Sequence, residues 1–274
     1  MSFKGKSVIV TGSSSGIGQE AALIFGEQGA SVTIHGQNAE RLKKTEDLLK
    51  KAGVTDARIL TVLGPIEQEE TRKKLIDETV KKFGKLDVLV NNAGISHPPG
   101  NDPNSLESLD YVMNTNLRSV IALTRLAAPH LEKTKGNVVN VSSVGSQRVA
   151  THAVPYVLTK AALDHFTRNA AVQYASQGIR INTVSPGATD TNFATRHNSN
   201  EEALKAFYQY FVDNVIPMHR FGSSREVANV IEFLASDKAS YVTGSNYVVD
   251  GGVLAGPPSD PKRSELGKLL TSPK

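Results

Sequence analysis

In the stretch VPYVLTKAALDHF, Tyr156 and Lys160 stand four residues apart. On a helix that step stacks both side chains on one face, about one turn apart. A phenol near its ordinary pKa of about 10 is a poor acid or base at neutral pH, and an ammonium beside it favours the phenolate and lowers that pKa. The pair therefore has the chemistry to move a proton to or from a carbonyl or alcohol oxygen. With seven tyrosines in 274 residues, the spacing alone is a weak sign. A solvated lysine beside a half-buried tyrosine is the plainer alternative, so the surroundings must decide.

A second set of residues points the same way. TGSSSGIG, Thr11 to Gly18, lies between the strand-like SVIV and the helix-like QEAALIFGEQG. Gly12, Gly16 and Gly18 let a backbone turn tightly and approach a phosphate. The following helix offers free N–H groups and a partial positive charge to a pyrophosphate. Many dinucleotide folds place a carboxylate about twenty residues on, against the ribose hydroxyls. Here the second strand ends IHGQN, with Gly36 at its tip, and Arg41, Lys43 and Lys44 follow. With no carboxylate to repel a 2′-phosphate, NADP(H) is favoured over NAD(H). The GKS at residues 5–7 is no triphosphate loop, because no glycine stands five positions earlier and a strand follows.

These residues need a frame. Short β-branched runs at 7–10, 31–34, 57–63, 86–90, 137–143, 180–185 and 246–252 alternate with amphipathic stretches. The predicted helices end at Gly29 and cover 38–52, 67–84, 105–132 and 156–177, with helical pieces up to about 235. Strands apolar on both faces and separated by helices predict an α/β fold of the Rossmann type. It is a doubly wound seven-stranded parallel sheet with helices on both faces, formed as a single domain over residues 1–254. Residues 255–274, rich in Pro and Lys, are expected to be a surface tail.

Composition narrows the partners. A net charge of +4, with no block of Lys/Arg, disfavours nucleic acid. No apolar run is long enough to span a membrane, and the short apolar stretch near the start is too brief for a signal peptide. The chain holds no cysteine, which excludes thiolate metal sites and fits a reducing, cytoplasmic setting. The seven histidines have no metal-like spacing, so no metal is expected. His97 and His152 fall in loops that border the active edge of such a sheet and are candidates to line a substrate pocket.

Taken together, TGSSSGIG, NNAG at 91–94, YVLTK at 156–160, SPG at 185–187 and the ending FLASDKASYVTGSNYVVDGG resemble the short-chain dehydrogenases/reductases, over about residues 5–253. The resemblance implies a catalytic set of Asn116, Ser143, Tyr156 and Lys160. In it Ser143 hydrogen-bonds the substrate oxygen and Tyr156 transfers the proton. Lys160 depresses the tyrosine pKa and bonds the nicotinamide ribose, and Asn116 holds a relay water through its backbone. It also implies dinucleotide contacts from Gly12, Ser14, Ser15, Gly16, Ile17 and Gly18. Further contacts come from Gly36, Gln37, Asn38 and Arg41, from Asn92, Ala93 and Gly94, and from Pro186, Gly187, Thr189 and Thr191, beside Tyr156 and Lys160 themselves. Gln37 and Ser15 stand where NADP-preferring relatives often carry basic residues, and Pro65 stands near the usual adenine-side aspartate.

The activity implied is hydride transfer between a nicotinamide and a small-molecule carbonyl or alcohol. An NAD-dependent alcohol or hydroxysteroid oxidiser is one alternative, and a non-catalytic dinucleotide sensor or scaffold another. Aromatics at 193, 207, 208, 210 and 211 fall where the family carries a substrate lid. Relatives form homotetramers through the helices at 105–132 and 156–177, so a tetramer is expected, with a dimer as the alternative. The apolar faces Val120, Leu123, Ala127 and Leu163, Phe166, Ala170 are the expected subunit contacts.

Overall fold

The computed structural model describes residues 2–191, 193 and 201–258. Seven strands form one parallel sheet: β1 (Ser7–Val10), β2 (Ser31–Gly36), β3 (Ile59–Leu63), β4 (Val88–Asn91), β5 (Asn137–Val141), β6 (Arg180–Pro186) and β9 (Asn246–Val249). Their order across the sheet is β3-β2-β1-β4-β5-β6-β9. The chain winds outward from β1 to β3, then returns to the centre at β4, so β1 and β4 flank the point where the winding reverses. Crevices at such a point, beyond the carboxyl ends of the strands, bind ligands.

Alternation along the strands sorts the core into two halves. Val8 and Val10 of β1 face α1 (Gly16–Glu27), α2 (Ala39–Lys51) and α8 (Ser224–Ala235). Ile9 between them faces α3 (Glu69–Phe83), α5 (Ser119–Thr134) and α6 (Val154–Tyr174). Both faces are covered, which is why the strands read as continuous apolar runs. The expected doubly wound sheet is found, with shorter strands than the sequence pattern predicts at β3, β4, β5 and β9.

One predicted helix divides. The stretch 105–132 is α4 (Leu106–Met113), a wide π turn over Asn114–Arg118, and then α5. The π turn is closed by the Ser119 N–H on the Asn114 carbonyl and carries Asn116; such turns concentrate at functional sites. Further on, β7 (Thr189–Asp190) pairs with β8 (Gly222–Ser223) in a two-residue ladder, with α7 (Glu201–Asn214) between them.

The expected subunit faces are corrected by the packing. Val120, Leu123, Ala127, Leu163 and Ala170 are buried within the chain's own core, and Phe166 packs against it. The five buried ones hold the helices to the sheet and are not available to a partner, while Phe166 stays partly exposed. Among the described residues no helix is long and apolar enough to cross a membrane. Of the expected tail, residues 259–274 lie outside the described residues, as do 192 and 194–200 of the expected lid.

Candidate active site

A cleft of about 1040 Å³ runs along the carboxyl edge of the sheet. Its floor is two loops bonded to each other. The Thr11 hydroxyl accepts the backbone N–H of Asn92 and of Ala93, each at 3.0 Å. The Asn92 amide donates to the carbonyls of Thr11 and Gly12 at 2.9 and 3.0 Å. Two glycines are required by this closeness. Gly12 has φ +64°, and a Cβ on it would stand 2.8 Å from the Ala93 Cα. A Cβ on Gly18 would overlap the Asn92 amide and stand 2.5 Å from the Gly12 carbonyl oxygen.

A histidine that the sequence pattern did not single out supports the same loop. His35 of β2 is buried. Its Nδ1 accepts the Gly12 N–H at 3.3 Å, and its Nε2 meets the Gly64 carbonyl at 3.0 Å. One nitrogen must accept and the other donate, so the ring is neutral. Burial agrees, pushing its pKa down to about 4 against the Gly64 bond. The only sequence signal was a polar residue at an inward position of an apolar strand.

The Ser15 side chain does not cap α1, which leaves the first-turn N–H groups for a ligand. Ser14, Ser15, Gly16 and Ile17 line the cleft there, and Gly36, Gln37, Asn38 and Arg41 line its far end. The Asn38 side chain caps α2 through the Arg41 N–H at 2.8 Å. Of the three cations noted after β2, only Arg41 reaches the cleft, while Lys43 is paired with Glu46 and Asp47.

At the other end the residues expected to transfer the proton come together. Pro155 sits in the first turn of α6, where a missing N–H costs nothing, and Tyr156 and Lys160 follow on one face. Ser143 follows the end of β5; its hydroxyl accepts the Gly145 N–H at 3.0 Å and lies near enough to the Tyr156 hydroxyl to lower its pKa. Lys160 is buried, donates to the Val141 carbonyl at 2.8 Å, and lies 5.6 Å from the centre of the Tyr156 ring. Phe193 packs against that ring with centroids 5.6 Å apart.

Asn116 lies just behind the lining. Its amide is reciprocally bonded to the Ile95 backbone at 2.8 and 2.9 Å and reaches Thr159 at 3.3 Å. Across from it, a Cβ on Gly94 would lie 3.4 Å from Asn116 Oδ1 and 3.6 Å from Lys160 Nζ. Pro186, Gly187, Thr189 and Thr191 complete the wall. Gly18 also lies behind the lining. His152 lines the cleft and His97 does not, so one of the two histidine expectations fails.

The electrostatics differ from the sequence expectation in one respect. The Tyr156 hydroxyl is pushed up to about 12, because burial outweighs the Ser143 hydrogen bond that lowers it. Burial also lowers Lys160 to about 8, with the nearby Asp164 carboxylate opposing. The tyrosine hydroxyl is therefore neutral at pH 7, not a phenolate.

The arrangement has counterparts. The model of a family described as enoyl-(acyl carrier protein) reductase matches residues 12–254. Glucose 1-dehydrogenase of Gluconobacter oxydans is 38% identical over 253 residues, covering 92% of each chain. 3beta-hydroxysteroid dehydrogenase 1 of Eggerthella lenta is 35% identical over 258 residues, 93% of this chain and 96% of that one. A crystal structure of a Caenorhabditis elegans short-chain dehydrogenase/reductase of unknown function, with cofactor, superposes with a TM-score of 0.89 at 37% identity. It covers 93% of this chain and 97% of that one.

Proposed function

The chain belongs to the short-chain dehydrogenases/reductases, oxidoreductases that act on alcohol and carbonyl groups with a nicotinamide dinucleotide, and within that family we propose an NADP(H)-dependent carbonyl reductase or alcohol dehydrogenase in which Tyr156 is the acid/base. The observation that carries this is the gathering of Ser143 and Tyr156 beside a buried Lys160 in the cleft.

The residues fit the cofactor they are assigned. The uncapped first turn of α1 and the tight Gly12 turn suit a pyrophosphate. Gly36 and Arg41 at the far end, with no carboxylate lining the cleft, support a 2′-phosphate; Gln37 can bond it without neutralising it. We assign the remaining dinucleotide contacts to Ser14, Ser15, Gly16, Ile17, Asn38, Asn92, Ala93, Gly94, Pro186, Gly187, Thr189 and Thr191. When bound, the nicotinamide supplies or accepts the hydride.

The protein handles the oxygen and its proton. The Ser143 hydroxyl, fixed by the Gly145 N–H, donates to the substrate oxygen and stabilises developing negative charge. Tyr156, neutral at pH 7, gives its proton to that oxygen in reduction and takes it back in oxidation. Lys160, held by the Val141 carbonyl, faces the resulting phenolate with its charge. Asn116 has its side chain committed to Ile95, so its part in reprotonation is assigned to the backbone of the π turn.

Tyr156→Phe tests this reading. Turnover is expected to fall by at least about 100-fold, with dinucleotide affinity within about threefold of the parent. Full activity in the Phe variant refutes the role. Titrating NADPH and NADH separately tests the cofactor preference; tighter NADH binding turns the assignment toward NAD-dependent alcohol oxidation. We further place the enzyme in the cytoplasm as a homotetramer. Leu158 and Val172, 51% and 81% exposed on the outer face of α6, are the apolar contacts in place of the buried ones expected first. Light scattering of the purified protein checks the mass.

A further inference from the structure

Beyond the reacting pair, the cleft has an unusual charge pattern. Among the described residues lining it there is no aspartate and no glutamate, while Arg41, Lys160 and Arg148 all reach it. Arg41 stands in the first turn of α2 and Lys160 beside Tyr156, so both are accounted for by the dinucleotide. Arg148 is not. It lies five residues after Ser143, in a loop held by its own N–H and that of Gln147 on the Val144 carbonyl, at 2.9 and 3.0 Å.

Its guanidinium makes no ion pair or side-chain hydrogen bond among the described residues. The arginines at 220 and 225, by contrast, are paired with Glu226 and with Glu20 and Glu27. The cleft it reaches is lined by apolar and polar side chains alike, Thr151 and His152 among the latter. Val149 is 85% exposed beside it, and Phe193, Phe207, Tyr210 and Phe211 line the cleft. Phe207 and Phe211 stack with ring centroids 4.4 Å apart.

An apolar body ending in an anion would find both an aromatic surface and an unpaired planar cation. Guanidinium binds carboxylate with two parallel hydrogen bonds, which fixes orientation as well as charge. Arg148, Ser143 and Tyr156 line the same cleft, so one substrate can reach all three.

We propose that Arg148 is a specificity-determining residue that binds a carboxylate on the substrate, so that the enzyme's substrates are oxo acids, or the matching hydroxy acids, with an apolar body between the two groups. This rests on the carbonyl-reductase assignment above, and the test separates the two.

The complex of enzyme and reduced dinucleotide is titrated with 4-benzoylbutyrate and with its methyl ester, following nicotinamide fluorescence, and both ketones are assayed as substrates. The acid is expected to bind and react about tenfold better than the ester at low salt, in line with one charge-assisted pair at a cleft wall. That ratio should fall toward one as salt approaches about 1 M and in Arg148→Gln, and return in part in Arg148→Lys. An acid that binds no better than its ester, including the case in which neither binds, overturns the anion site. So does a ratio that survives Arg148→Gln. Reduction of the ester alone would then leave the reductase assignment standing. Arg148-dependent binding of the acid without reduction of either ketone keeps the anion site and overturns the reductase assignment.

Discussion

Thr11→Val isolates the bond between the two floor loops. Valine matches threonine in shape, so the buried site, 2% exposed, stays filled. What disappears is one hydroxyl that accepts two N–H groups at 3.0 Å and donates to the Val90 carbonyl at 3.2 Å. The carbonyl keeps the Thr11 N–H at 3.0 Å and is not orphaned. The Asn92 and Ala93 N–H groups lose their acceptor, at about 1–3 kcal/mol each. The added methyl returns about 1 kcal/mol. The expected loss is about 1–5 kcal/mol, read by urea unfolding with an unchanged m-value. Because Gly12 and Asn92 share the joint, dinucleotide binding should weaken as well. Thr11→Ser keeps the hydroxyl and should lose no more than about 1 kcal/mol, the cost of one buried methyl. A valine variant within about 0.5 kcal/mol of the parent refutes the reasoning. So does a serine variant as unstable as the valine one.

Two further expectations concern pH. His35 takes up a proton near 6.5 when unfolded and only near about 4 when folded, so acidification through that window favours the unfolded chain by about 3 kcal/mol. His35→Asn should flatten the stability profile between those values; an unchanged slope shows that other groups carry it. Lys160, lowered to about 8, loses its charge as pH rises through that value, and kcat/KM should decline on that side. Asp164, buried one turn further along α6 and bonded to Asn246 at 2.9 Å, holds Lys160 protonated. Asp164→Asn should move the alkaline decline to lower pH, and an unmoved pH–rate profile would show that the carboxylate serves packing alone.

Much of the frame was legible because its signals are local. Strands buried on both faces leave continuous apolar runs, and Gly12, Gly16 and Gly18 stand out between a strand and a helix. Ser143, Tyr156 and Lys160 meet as their places after β5 and on α6 imply. What could not be read depends on contacts distant in sequence. The π turn at Asn114–Arg118 has no composition of its own, so α4 and α5 read as one helix. The apolar stripes Leu123–Ala127 and Leu163–Ala170 look the same whether they cover a sheet or a subunit, and only the packing tells which. The upward shift of Tyr156 follows from desolvation by surrounding walls, Phe193 among them. A four-residue spacing to Lys160 carries no trace of that.

The small β7–β8 ladder gives the molecule a division of labour. Thr189 pairs with Gly222 and Asp190 with Ser223, so the two ends of the segment bearing these aromatics are held at nearly one place, while Val215 and Ile216 near its end pack against Val253. A loop whose ends are already clasped can change length or sequence at little entropic cost to the rest. The dinucleotide floor, by contrast, is knitted between β1 and β4 at the centre of the sheet, where any change propagates into the core. A graft of 191–210 from a relative, which leaves Val215 and Ile216 on Val253, is expected to bring the donor's substrate preference and leave dinucleotide binding unchanged.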